Sequence, residues 1–231
     1  MEITLKNISF SYKNVAVLDN LSCTFRSGKL NYLIGYNGAG KSTLFDIMSG
    51  ALKQKKGEII GKPDVNEILY QTQNPAVFGA LTGKNLQDFI FGVSTGHRDI
   101  LLDNLPTHFV DLYKKLLSRK IGDMSVGERR WIITFLESYL NKEMFLLDEP
   151  TSGVDPVSKG QINKTLLSSA KNSKRIVIVT THELRDMEQN SYVHLLNNKK
   201  IKSFNSYEDF VSASKIGDVE DAFSSLTSQA D

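Results

Sequence analysis

The chain has 231 residues, 40% of them apolar and 23% charged, which suits one globular domain with a sizeable core and excludes a disordered polymer. A net charge of +2 offers no basic field for nucleic acid, and no nucleic-acid partner is expected. Cys23 is the only cysteine, so an intrachain disulfide is excluded, an intracellular setting fits, and the residue reads as a small buried hydrophobe.

The start, MEITLKNISF, has neither a basic nor an apolar leader region and does not read as a secretory signal. Its alternation of Ile3, Leu5, Ile8 and Phe10 predicts half-buried strands, followed by strands at LSCTF and LNYLIG. LNYLIG runs into a glycine-rich loop. Beyond the loop, KSTLFDIMSG has helical apolar spacing at Leu44, Ile47 and Met48, with Gly50 as its stop. A short strand pair is expected at GEII (57–60) and EILYQ (67–71). Residues 80–141 lack strand signals and read as mainly helical. The α/β rhythm then resumes with a strand at 144–147, a helix at 157–170, a strand at 176–181 and a short helix at 183–190. VHLLN and KIKSF form a hairpin around Asn197 and Asn198, and the tail from 206 is polar, weakly helical and frayed at its end. The longest apolar runs, such as IVIV at 176–179, fall far short of the ~20 residues of a spanning helix.

Two stretches carry the chemistry. GYNGAGKS (35–42) fits G-x-x-x-x-G-K-[ST] in full, with a strand before it and a helix after it. Gly35, Gly38 and Gly40 let backbone N–H groups turn inward around phosphate oxygens, with Asn37, Ala39 and Thr43 completing the cradle. The helix starting at Lys41 adds unpaired N–H groups and a positive dipole end. Lys41 would reach the β- and γ-phosphates and Ser42 would ligate Mg²⁺. A chance match to the motif in a chain of this size is on the order of one in a hundred. The second stretch, MFLLDEP (144–150), ends a hydrophobic strand in two adjacent carboxylates. Asp148 would hold the Mg²⁺ shell, and Glu149 would orient or deprotonate the attacking water. Alone, that pair reads as an acidic turn before proline; beside the phosphate loop it reads as a catalytic edge.

With LLDEPTSGVD (146–155) in view, the chain resembles the nucleotide-binding domains of ABC transporters from about residue 2 to about 203, with the motifs in the family's order. The resemblance implies an α/β fold: a P-loop NTPase core with a mostly parallel sheet, an N-terminal antiparallel β subdomain and a small helical subdomain. Within a single domain over 1–231, the core would take 1–78 and 142–205, the helical subdomain 79–141, and a C-terminal tail 206–231. ATP and Mg²⁺ are the implied cofactors. Tyr12 in FSYKN sits where the family stacks an aromatic ring on adenine, although a half-buried strand tyrosine fits as well. Gln73 aligns with the family's Q-loop glutamine, contacting Mg²⁺ and water, and Gln71 is the competing register. MSVGERR (124–130) matches the signature, with Ser125, Gly127 and Glu128 toward a nucleotide, while Ser125 and Glu128 also spell a capping box. Val126 departs from the family's usual glycine, which puts the strength of that half-site in question. Asp155 in TSGVD is the acidic member of the D-loop. His182, after TT, takes the place of the switch histidine at the γ-phosphate, whereas His97, His108 and His194 read as surface residues.

Signature and phosphate loop of one subunit cannot share one ATP in this family, so a homodimer, or a pair with a similar ATPase subunit, is implied. Three roles compete: the ATPase subunit of a membrane transporter, a soluble ABC ATPase of the assembly, repair or translation type, and a small-molecule kinase. The signature, D-loop and switch histidine have no place in a kinase. The helical part is too short for the coiled coils of repair-type members, and one set of motifs does not match the translation type. An integral-membrane permease is the implied partner, docking near 74–92, where Phe78, Leu81, Phe89 and Phe91 would line a groove or else pack within the helical part. The chain would then lie at the inner face of the cell membrane. Gly153-Val154-Asp155-Pro156, and a chain without an added C-terminal regulatory domain, resemble bacterial exporters of drugs, lipids or peptides. The interval from Lys41 to Gln73 is shorter than is usual for the family.

Overall fold

The computed structural model describes residues 1–228 apart from Asn74, Ala76, Thr95 and Lys215. Two sheets organise it. The first is antiparallel, in the order β2-β1-β4, from β1 (Glu2–Tyr12), β2 (Val15–Arg26) and β4 (Lys56–Ile60). The second has the order β5-β6-β7-β3-β8-β9, from β3 (Leu30–Ile34), β5 (Ile68–Gln71), β6 (Met144–Asp148), β7 (Ile176–Thr180), β8 (Ser191–Asn197) and β9 (Lys200–Phe204). Its pairs are parallel except for the edge hairpin β8–β9.

The central strands read as unbroken apolar runs because both of their faces are covered. In β7, Ile176 and Ile178 join the core shared with the antiparallel sheet, while Val177 and Val179 join the core shared with the helices. In β6, Met144 and Leu146 take the first side, and Phe145 and Leu147 the second. Each such fully buried aliphatic side chain contributes roughly 1.5–3 kcal/mol of transfer free energy. Asp148 ends β6 with Glu149 next to it, and His182 follows the end of β7.

Helix α1 (Lys41–Ser49) follows the glycine-rich loop and stops at Gly50, which is left-handed at φ 92°. Between β5 and β6 lie α2 (Gly83–Gly92), α3 (Thr107–Ser118) and α4 (Val126–Ser138), whose Phe109, Trp131 and Phe135 rings stack in one aromatic core. Helix α5 (Pro156–Ala170) returns the chain to β7.

Several expectations are corrected. GEII and EILYQ do not pair with each other. GEII forms β4 against β1, whereas EILYQ supplies β5 beside β6, because the left-handed Gly61 turns the chain from one sheet to the other. The short helix expected at 183–190 is a single 3-10 turn, Leu184–Asp186. The hairpin turn consists of Asn198 and Lys199, both at positive φ, which matches the twist of the flanking strands. The tail is a docked pair of helices, α6 (Tyr207–Val211) and α7 (Val219–Ser228), which bury Phe210, Val219 and Ala222; the end expected to fray, 229–231, lies outside the described residues.

His194 is not a surface residue. It lies on the interior strand β8, is 2% exposed, and faces Phe25, Asn31 and Ser203. Burial, with Arg26 nearby, pushes its imidazole down to about 3. His97 and His108 are exposed, on Phe91 and Phe109 respectively. Cys23 is half-buried on β2 against the antiparallel-sheet core rather than fully enclosed.

Candidate active site

The phosphate loop leaves β3 at Gly35 and re-enters regular structure at Lys41. Its first glycine lies so close to β8 that a Cβ there would meet the Leu196 carbonyl oxygen at 2.4 Å. Gly40, at φ 107°, caps α1, and its Cβ would meet Val17 at 2.9 Å. Gly38, also left-handed, has open space before it. The loop is therefore built from glycine where the backbone must turn or be packed closely, and Gly38, Gly40 and the first residues of α1 line one cleft.

That cleft measures about 400 Å³ and is lined by Tyr12, Val17, Asn37, Gly38, Gly40, Lys41, Ser42, Thr43, Gln73, Asp148 and Glu149. Lys41 is 7% exposed, and its Nζ donates to the carbonyls of Gly35 (2.8 Å) and Tyr36 (3.2 Å). Burial lowers its ammonium from the ordinary lysine range, while Glu149 and Asp148 act in the opposite direction. Ser42 Oγ donates to Asp148 Oδ2 at 2.8 Å, linking the loop to the end of β6. Tyr12 is half-exposed at the cleft, with its ring edge-on to Phe10.

Glu149 is the convergence point. Its backbone is left-handed at φ 53°, unusual for a residue with a Cβ and costing on the order of 1 kcal/mol. Its side chain is held from two sides. Gln73 Nε2 donates to Oε2 at 2.8 Å, and His182 Nε2 lies 2.5 Å from Oε1. Gln71, the competing register, turns the other way: it is buried and bonded to Thr134 on α4. His182 and Glu149 also share a smaller adjoining recess with Thr151, Ser152, Thr181 and Glu183.

Thr180, which the sequence reading passed over, ties the Asp148 carboxylate to the backbone of Glu149. Its Oγ1 donates to Asp148 Oδ1 at 2.5 Å and accepts from the Glu149 N–H at 2.9 Å. The signal was available: a hydroxyl residue at the end of β7, in parallel register with Asp148. Arg130 was also passed over, and its Nη1 donates to the Glu149 carbonyl at 2.6 Å.

The signature residues stand apart from this cleft, none of them among its lining. Ser125 caps α4 by accepting from the Glu128 N–H at 3.1 Å, and Glu128 Oε2 accepts from the Ser125 N–H at 2.8 Å. Arg119 pairs with both Glu128 oxygens, at 2.9 and 3.0 Å, so that carboxylate is engaged within its own neighbourhood. Gly127 approaches the backbone of Gly153 and Val154, while Val126 is half-exposed at the first position of α4. Asp155 turns its carboxylate onto the N–H groups of Val157 (3.1 Å) and Ser158 (3.0 Å), capping α5. The bond from Ser158 leads in holding that carboxyl below its usual range. Among 74–92, Phe78 and Phe89 are exposed, while Leu81 and Phe91 pack on the core. Asn74 and Ala76 of that segment lie outside the described residues.

The donor set fits a magnesium nucleotide. Hydroxyl, carboxylate and amide oxygens from Ser42, Asp148 and Gln73 are hard ligands beside a phosphate cradle.

A family model described as ABC transporter matches residues 18–152, more than half of the chain. The zinc import ATP-binding protein ZnuC of Ehrlichia ruminantium is 30% identical over 213 residues, covering 92% of this chain and 87% of that protein. ABC transporter G family member 23 of Dictyostelium discoideum is 29% identical over 209 residues, covering 86% of this chain. The chain spans only 30% of the length of that relative. A solved ATP-binding subunit of an ABC transporter superposes with a TM-score of 0.78 at 20% identity, covering 98% of this chain and 100% of the other, a likeness of fold. The chain belongs to the ABC transporter family, as an ATP-binding domain of the kind whose members are ATPases coupled to transport.

Proposed function

We propose that this chain hydrolyses ATP as one half of a head-to-tail pair and drives a separate membrane subunit. The observation that carries the reading is the double hold on the Glu149 carboxylate by Gln73 and His182, at the mouth of a glycine-built phosphate loop.

Each residue then has a task. Tyr12 stacks on the adenine. The N–H groups from Gly35 to Thr43, including those of Asn37, Gly38, Ala39 and Gly40, cradle the phosphates. Lys41 exchanges its bonds to the Gly35 and Tyr36 carbonyls for the β- and γ-phosphate oxygens. Ser42, Asp148 and Gln73 would hold Mg²⁺, which would neutralise charge developing on the phosphates. Glu149 takes the proton of the attacking water, with Gln73 and His182 fixing its carboxylate. Ser125 and Gly127, with the start of α4, face the nucleotide of the opposite subunit; Glu128 and Asp155 support that face through the caps they make. Closing around two nucleotides and reopening after hydrolysis is the motion delivered.

The membrane subunit docks near 74–92, where Phe78 and Phe89 offer exposed apolar surface, and the chain sits at the inner face of the membrane through it. No described helix is long and apolar enough to cross a membrane. The direction we propose is export, on the Gly153-Val154-Asp155-Pro156 run. A relative named for zinc import is similar over most of both chains, so import is the other outcome of the test. Purifying the tagged chain from native membranes in mild detergent, then rebuilding the complex in vesicles, tests the reading. A stoichiometric multi-spanning partner with ATP-driven movement away from the nucleotide side supports it. Soluble partners alone contradict the membrane role, and movement toward the nucleotide side contradicts export.

A further inference from the structure

Glu149 is gripped at its backbone as well as at its carboxylate, and one of the backbone grips comes from outside the sheet. Arg130 lies in the second turn of α4, five residues after the cap Ser125. Its Nη1 donates to the Glu149 carbonyl at 2.6 Å. The Ser152 N–H donates to the same oxygen at 3.2 Å, and Thr180 holds the Glu149 N–H from the opposite side. The residue so clamped has a left-handed backbone, a conformation its own chain does not favour. The side chain's aim follows from that φ, because Cα–Cβ direction is set by the backbone.

Arg130 also stands on the face of α4 that runs along the segment after Glu149. Val126, one turn earlier on the same face, lies 3.4 Å from where a Gly153 Cβ would be, and a Cβ at Gly127 would stand 3.5 Å from the Gly153 carbonyl oxygen. The Arg130 guanidinium is half-buried there; burial draws it down from the usual arginine range, and the Glu149 charge opposes the shift.

We infer that Arg130 is a positioning residue: through the Glu149 carbonyl it sets the backbone angle that aims the Glu149 carboxylate, and so makes the orientation of α4 an input to hydrolysis. The inference rests on the proposed role of Glu149 as base. Helix α4 begins at the signature residues, which face the opposite subunit's nucleotide under that reading. A tilt of α4 on closure is thereby passed to the hydrolytic carboxylate of its own subunit through one hydrogen bond, independently of the Gln73 contact.

The test compares Arg130→Met and Arg130→Lys in the full chain for ATP turnover, ATP affinity and thermal midpoint. The Glu149 carbonyl retains Ser152 in either variant, so no buried acceptor is orphaned. The expected result for Arg130→Met is a kcat about tenfold or more below wild type, with ATP affinity and thermal midpoint unchanged. Arg130→Lys, which keeps one donor, recovers part of that loss. Adding Arg130→Met to Glu149→Gln lowers turnover no further, because both act through one carboxylate. Wild-type kcat in Arg130→Met while Glu149→Gln is inactive overturns the Arg130 inference and leaves the function standing. Full turnover in Glu149→Gln overturns the underlying reading instead. A fall in affinity and midpoint together with kcat makes Arg130 a structural residue and also overturns the inference.

Discussion

His182 and Glu149 meet at 2.5 Å although they follow different strands, β7 and β6, and lie on opposite sides of α5 in the sequence. The parallel register that sets Asp148 beside Thr180 brings the residues following each strand to the same edge. A carboxylate held there by an imidazole and by the Gln73 amide has its direction fixed before a substrate arrives.

Lys41 tests the phosphate cradle. Lys41→Ala removes a charged donor to phosphate together with the bonds its ammonium makes to the Gly35 and Tyr36 carbonyls. ATP affinity should fall by about tenfold or more, the equivalent of one charged hydrogen bond. Titration calorimetry against MgATP measures it; unchanged affinity contradicts the assignment.

Thr180 tests the link between the Asp148 carboxylate and the Glu149 backbone. Thr180→Val keeps the shape but loses the bonds to Asp148 and the Glu149 N–H. Turnover should drop about 10- to 100-fold, and half-saturation should require more Mg²⁺. Equal activity across a magnesium titration argues that the hydroxyl does not order the pair.

Glu137 tests the lobe of α4 rather than the site. Its Oε2 is buried without a hydrogen-bond partner, and burial pushes the carboxyl up to about 8. The folded pKa lies above the ordinary 4.5, so between those values the native state holds a proton the unfolded chain releases. Stability from this group is full below pH 4.5 and is lost as pH rises toward 8. Glu137→Gln should therefore flatten that decline, and at pH 8 it should be more stable than wild type by about 1–3 kcal/mol. Thermal melts at pH 5 and pH 8 read both; parallel curves for the two proteins contradict the buried, protonated carboxyl.

Local chemistry made much of this legible beforehand. The glycine spacing from Gly35 to Ser42, the carboxylate pair closing β6 and the capping box at Ser125 are each defined within a few residues, and the structure places each in the expected element. What depended on long-range pairing was not legible. GEII and EILYQ are both short strands by composition, and only the sheet decides that one pairs with β1 and the other with β6. His194 reads as an ordinary polar residue until β9 covers β8 and buries it against Phe25. The choice between Gln71 and Gln73 rests on which one follows the end of β5 and so escapes the core toward Glu149. Arg130 closes the MSVGERR stretch but was not legible as a site residue, because its partner is a backbone carbonyl that any residue would supply.

The most direct test of the account is the oligomeric state of Glu149→Gln with and without MgATP, measured by light scattering on a sizing column. Removing the proposed general base should cut turnover by about 100-fold or more and hold the nucleotide-bound pair closed. The account predicts a monomer without nucleotide and a stable dimer carrying two ATP with it. A monomer under both conditions, with ATP bound and unhydrolysed, would contradict closure around nucleotide as the working step.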